Sequence, residues 1–244
     1  MKRHGFFLSL LVGFIVILIS VYGFFLLRQR PDLPQDIKDK LEQRDISKRV
    51  QLNGLDFERL QDLEFILSQK TIGDEVAVSF ESEGKRETQN VRLVAYYVAT
   101  PYLPFIYLSI GLFCFIIGIA VFLLRSEDAM ARIFYWASFA FSAPIIISGG
   151  FYCLRKGGLS YLPGILNYFL YPLAPALLLR FSFLFSKRKM KIGRFVIYFP
   201  ALCFAAVLET LFLYAGLNSS IEVYRVYQSF YSVFRAYLVL FVLV

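Results

Sequence analysis

Few residues in this chain are of a kind and in a place to do chemistry. His4 is the only histidine and stands in the N-terminal "MKRH" without a partner, while Cys114, Cys153 and Cys203 lie far apart, in or at the edge of apolar runs, with no CxxC spacing. Such a set offers no metal cluster, redox pair or nucleophile–base pair, so we expect no cofactor, no metal ion, no catalytic residue and no enzyme activity within these 244 residues. What remains are ionisable side chains inside apolar sequence. Glu209 and Arg235 each lie about 10 to 12 Å into their runs at about 1.5 Å per residue, and equal depth would let them form an intramembrane ion pair across two helices. A charge near the bilayer centre costs a few kcal/mol on insertion scales, part of which a partner offsets. The alternative is a protonated Glu209 and an Arg235 that snorkels to the surface. A second group, Pro144, Gly149 and Gly150 in one run and Asn167, Pro172 and Pro175 in the next, could form a cavity or hinge lined by Tyr168 and Tyr171. The same residue types also serve close helix packing alone.

Membrane helices must position these residues. The chain is 58% hydrophobic with a mean hydropathy of +0.60, above the apolar share of an ordinary soluble domain. Gly5 to Leu27 is 23 residues without a charge, long enough for a helix to cross a core of roughly 30 Å, and it ends in "FFLLRQRP" rather than at a small-residue cleavage site. Residues 1–27 are therefore expected to be an uncleaved signal-anchor helix. Further spans are expected at about 102–124, 133–154, 162–185, 195–216 and 227–244, the multi-span domain being 101–244. Pro163, Pro172 and Pro175 should kink or loosen the third of these unless neighbours satisfy the freed carbonyls. The last run stops inside "YLVLFVLV", so the sequence is expected to continue beyond Val244.

The charges set the sidedness. Arg28 to Thr100 holds 12 basic and 14 acidic residues, the rest of the chain 14 basic and 4 acidic, so the excess of positive charge belongs to the membrane part. The basic residues flank apolar runs and form no stripe on a soluble face, which excludes nucleic acid as a partner. Lys2 and Arg3, then Arg125 and Arg132, then the cluster of Arg180, Lys187, Arg188, Lys189, Lys191 and Arg194 fall on one side if the N-terminus is cytoplasmic; the other side receives Arg155, Lys156 and Arg225 in its short loops. Residues 28–100 are then extracytoplasmic.

That insert reads as a folded unit. Ile37 and Leu41 stand at helical spacing, and "ISKRVQL" alternates as a half-buried strand. Asn53 and Gly54 supply turn chemistry; Leu60, Leu63 and Leu67, with Ile66, form an apolar helical face opposite Gln61, Asp62 and Glu64. "EVAVSF" and "TQNVRLVAY" alternate on either side of a polar loop, as a hairpin.

Strand, turn, helix and hairpin in "VQLNGLDFERLQDLEFILSQKTIGDEVAVSFESEGKRETQNVRL" resemble the second half of a PDZ domain, with Asn53 and Gly54 similar to that family's "NG" and "DLEFIL" to its helix. Arg28 to Asp45 contains no glycine, so the family's carboxylate-holding loop has no counterpart. The resemblance implies a truncated PDZ-like module, atrophied, structural or differently specialised. The fold class expected is a mainly α, polytopic membrane helix bundle with a small extracytoplasmic α+β domain. This module followed by closely spaced spans, with the "R-x-E-D-x-x-A-R" turn from Arg125 to Arg132, resembles the sensory region of bacterial membrane histidine kinases of the competence quorum-sensing type. It implies a multi-pass protein of the bacterial cytoplasmic membrane, a sensor whose catalytic domains follow Val244. Its partners would be an extracytoplasmic ligand (peptide, small amphiphile or protein), membrane lipid and a second copy in a homodimer. Similar regions precede PP2C-type phosphatases or nucleotide cyclases, and a membrane scaffold acting through the PDZ-like face is the further alternative.

Overall fold

A computed structural model describes residues 3–43, 50–57, 59–82, 85–96, 102–148, 158–186 and 193–242. Helix α1 (Arg3–Leu27) leads into a globule, and after it five further long helices follow in sequence. The globule consists of β1 (Pro31–Asp32), α2 (Gln35–Gln43), β2 (Val50–Leu52), β3 (Leu55–Phe57), α3 (Leu60–Leu67), β4 (Glu75–Ser82), β5 (Lys85–Arg92) and β6 (Val94–Ala95).

Its sheet has the order β3-β2-β4-β5, all antiparallel. Asn53 and Gly54 both take the left-handed conformation, φ 51° and 81°, which makes the two-residue β2–β3 turn that matches strand twist. Asn53 then stitches this turn to β4: its backbone N–H donates to the Ala77 carbonyl, and its Oδ1 accepts the Ala77 N–H, both at 2.8 Å. Period-two alternation sends Val76 and Val78 of β4 and Val91 of β5 inward, where Ile37 and Leu41 of α2 meet Leu63, Ile66 and Leu67 of α3. At the neck, β1 pairs with β6, so the incoming and outgoing chains are held together. Arg30, buried, lies 4.3 Å from the Tyr96 ring centroid and 3.3 Å from the Glu64 carboxylate, while Asp32 holds Lys38 and accepts the Leu33 N–H.

The bundle contains α4 (Leu103–Leu124), α5 (Ala129–Ser148), α6 (Leu162–Phe185, preceded by a 3₁₀ turn), α7 (Arg194–Asn218) and α8 (Ile221–Val242). Five helices, α1 and α4 to α7, are long and apolar enough to cross a bilayer, the architecture of a multi-pass membrane protein. Consecutive helices run antiparallel: Phe6 of α1 stacks on Phe122 near the end of α4, and Phe24 of α1 meets Phe105 near its start. The most buried helix is α5, packed on α1, α4 and α6. Its Tyr135 donates to the Ser9 carbonyl of α1 at 2.8 Å. At Gly111 of α4 a Cβ would collide with Ile146 of α5, so the approach of these two helices depends on a missing side chain.

Several boundaries differ from the sequence reading. Helix α5 starts at Ala129, four residues before the expected span, because Asp128 caps it: its Oδ1 accepts the Met130 N–H at 2.9 Å. Helix α6 continues through Pro172 and Pro175 and α5 through Pro144, all three buried, so the expected loosening at α6 does not interrupt the helix. Helix α8 begins at Ile221 instead of Tyr227 and is not among the five most apolar helices, since Glu222, Arg225, Gln228 and Arg235 interrupt it. Of "ISKRVQL" only Val50 to Leu52 falls within the described residues, as do neither Gly149 nor Gly150.

Gly111→Leu should destabilise the bundle by about 1–3 kcal/mol through overpacking, whereas Phe113→Leu on the lipid-facing side, 62% exposed, should change it little. Thermal unfolding of the two purified variants in one detergent checks this; equal melting temperatures would refute the close α4–α5 approach.

Candidate functional site

The globule does not merely hang from its neck; it rests on the first turns of α8. Three side chains of one short helix make this possible. On α3, Asp62 lies in the first turn, where the helix dipole favours a carboxylate, and the 3.6-residue repeat puts Phe65 one turn further on the same side. Asp62 was expected on the solvated face of α3. The structure overturns that: its side chain is 1% exposed, because α8 covers that face. Asp62 Oδ2 accepts from Arg225 Nε at 3.1 Å and from Nη2 at 2.9 Å. Arg225, read from sequence as a loop charge, lies in the second turn of α8 with its side chain 36% exposed.

Beside this pair the Phe65 ring stacks on Tyr224 with centroids 4.3 Å apart and planes at 16°. Glu64, between the two, reaches the other way to Arg30 of the neck. One turn of α3 therefore ties the neck to the bundle. From Tyr224 a column of rings runs down α8: Tyr227, Tyr231, Phe234 and Tyr237, with successive centroids 5.5 to 6.1 Å apart. The spacing of three and four residues keeps them on one face. Gln228 donates to the Tyr224 hydroxyl at 2.7 Å, and Tyr227 shares a buried hydroxyl–hydroxyl hydrogen bond with Tyr168 of α6. Phe212 of α7 closes the group, 4.9 Å from the Tyr168 ring. Thus Phe65 of the globule is itself part of the core shared by α6, α7 and α8.

This arrangement has no nucleophile and no acid–base pair aimed at an open space. Among the described residues no group of three His, Cys, Asp or Glu side chains could hold a metal ion. What the joint can do is mechanical and electrostatic: an ion pair and a ring stack, both sensitive to small displacements, link the globule to the packing of three helices.

The residues singled out from the sequence fall elsewhere. Glu209 and Arg235 do not pair; Arg235 lies over the Tyr231 ring, 4.7 Å from its centroid. The reason is rotational. Phe204 marks the side of α7 turned to α8, where it meets Phe230, Phe234 and Tyr237. Glu209 is five residues on, about 140° round the helix, and Arg235 is about 100° from Phe234. Nor are they at equal depth: Phe212 meets Tyr227 and Phe204 meets Phe234, so Arg235 lies about five residues further from the α7–α8 turn than Glu209, and both point away from the seam. Asn167, Pro172 and Pro175 are buried in α6 and Pro144 in α5. Of the two tyrosines expected near them, Tyr168 belongs to the joint and Tyr171 packs on Phe234. Asp62, Phe65, Tyr224 and Arg225 escaped sequence reasoning; the aromatic stripe on α8 at three- and four-residue spacing was the available signal.

No protein-family model, curated protein or solved structure matches this chain.

Arg225→Ala should cost about 1–3 kcal/mol, because it strands a buried carboxylate, and Asp62→Ala a comparable amount. The double variant should lose less than the two single losses combined, a coupling of about 1 kcal/mol or more. Denaturant unfolding of the four proteins in detergent measures it; strict additivity would show that the two side chains do not interact.

Proposed function

We propose that this chain is a membrane signal-input module, in which the globule senses a ligand outside the cytoplasm and passes the event to the bundle through α8. The observation that carries the reading is the Asp62–Arg225 and Phe65–Tyr224 joint. A globule with only a structural role would be held by its neck alone; this one also grips the last described helix of the bundle at its first turns. A ligand that binds the globule better in one packing of α3 on α8 than in another shifts the populations of those packings by its differential affinity. A joint worth about 2 kcal/mol changes the ratio of two such states about thirty-fold when it breaks.

The sequence resemblance supports a bacterial sensor histidine kinase as the output, acting in a homodimer, and a PDZ-like origin for the globule. The order strand, two-residue turn, helix and hairpin in the globule is compatible with that origin. The N-terminal, cytoplasmic orientation rests on the basic residues around Arg3, Arg125, Arg132 and the 187–194 segment. Antiparallel packing puts the ends of α4 and α6 at the same end of the bundle as the start of α1, opposite the globule, in keeping with that distribution.

Two experiments test this. Reporter fusions at Lys70 should be active only outside the cytoplasm; activity in the cytoplasm would reverse the orientation. With residues 1–242 fused to a histidine-kinase core and a transcriptional reporter, Asp62→Arg and Arg225→Asp should each shift basal output at least five-fold, and the charge-swapped double variant should restore it. Unchanged output in both single variants would remove the joint from signalling.

A further inference from the structure

The end of the bundle away from the globule carries a groove that the signalling reading leaves unused. Its cavity has a volume of about 300 Å³, at the lower end of ligand pockets, and is open on its outer side. The first turns of α5 supply Met130 and Phe134, α4 supplies Val121 and α6 supplies Phe181. Phe134 and Phe181 pack at 5.5 Å between centroids, so the lining below the mouth is hydrocarbon and aromatic.

Only Arg125 and Asp128, in the turn from α4 to α5, bring charge to the groove. Asp128 is committed to the turn itself: its carboxylate caps α5 at Met130, and its N–H donates to the Arg125 carbonyl at 3.0 Å. Arg125 is exposed and has no ion-pair partner among the described residues. The sequence that follows the α6 side of the groove is strongly basic, with Lys187, Arg188, Lys189, Lys191 and Arg194 within nine residues and no acid among them. An apolar groove at the end of membrane helices, with the Arg125 guanidinium at its mouth, complements a molecule with a hydrocarbon tail and an anionic head.

We infer that this groove is a specific site for an anionic phospholipid, with one acyl chain lying against α5 between α4 and α6 and the phosphate at Arg125. The inference needs only the membrane location of the helices and stands apart from the proposed signalling role. Each cationic side chain near a membrane surface contributes roughly a five-fold preference for an anionic lipid.

Trp136 is the only tryptophan, which permits a local optical test. The Trp136→Phe, Phe134→Trp protein is reconstituted into phosphatidylcholine bilayers containing a small fraction of either brominated phosphatidylglycerol or brominated phosphatidylcholine, and indole quenching is compared. Phosphatidylglycerol should quench with an apparent affinity about five-fold higher. Arg125→Gln should bring the ratio close to one, and Arg125→Lys should keep it. If Trp at 134 lowers the melting temperature, Phe181→Trp reads the facing wall of the same groove. Equal quenching by the two lipids, or a preference that survives Arg125→Gln, overturns the site.

Discussion

A carboxylate sealed from water must keep a counterion, and Asp62 finds its own in another part of the chain. Arg225 donates twice to one oxygen of Asp62, and the two residues are 163 positions apart in sequence. Neither helix is free to slide: moving α3 along α8 leaves a charge buried without a partner, which costs far more than the net worth of the pair. The Phe65–Tyr224 stack beside it is worth about 0.5–1.5 kcal/mol beyond its buried area and adds an orientation the ion pair alone lacks. Around this constraint the globule, its neck and three helices of the bundle take one arrangement.

The same constraint accounts for the unusual character of α8. A helix carrying Glu222, Arg225, Gln228 and Arg235 is costly to surround with lipid. Here Arg225 is neutralised by the globule, Gln228 is bonded to Tyr224, and Arg235 lies on Tyr231. The other five long helices carry fewer such groups in their interiors, chiefly Arg180 of α6, which donates to Tyr198, and Glu209 of α7. They present Phe, Ile and Leu outward and meet one another through small residues and prolines, as at Gly111 against Ile146 and Gly23 against Pro163. Pro144, Pro172 and Pro175 contribute to packing within continuous helices, because a helix buried among neighbours tolerates a lost backbone hydrogen bond that a solvated one would not.

Much of the fold was legible because its signals are local. Long apolar runs with no more than one internal charge pointed to the apolar helices, and period-two alternation to β4 and β5. Asn53-Gly54 gave a turn, and the spacing of Leu60, Leu63 and Leu67 gave α3. The candidate site was not legible for the same reason. Helical spacing says which side of α3 carries Asp62, and a polar side facing water or facing Arg225 looks identical in sequence. The relative depth of Glu209 and Arg235 could not be read, because it depends on where α8 starts, six residues before the expected position. Their facing could not be read either, because rotation about the helix axis is set by what the neighbouring rings pack against.

The sequence by itself therefore determined the presence and approximate place of the five most apolar helices, β4, β5, the Asn53-Gly54 turn and α3 of the globule, and the uneven placement of charge. These follow from backbone geometry and hydrophobic periodicity, which act over a few residues. Only the tertiary structure decided that α3 sits on α8, that Asp62 is buried and Arg225 is its partner, and that Glu209 and Arg235 look away from each other. Those outcomes depend on which surfaces meet, and a meeting between distant surfaces is decided by the summed packing of whole helices rather than by any short stretch of residues.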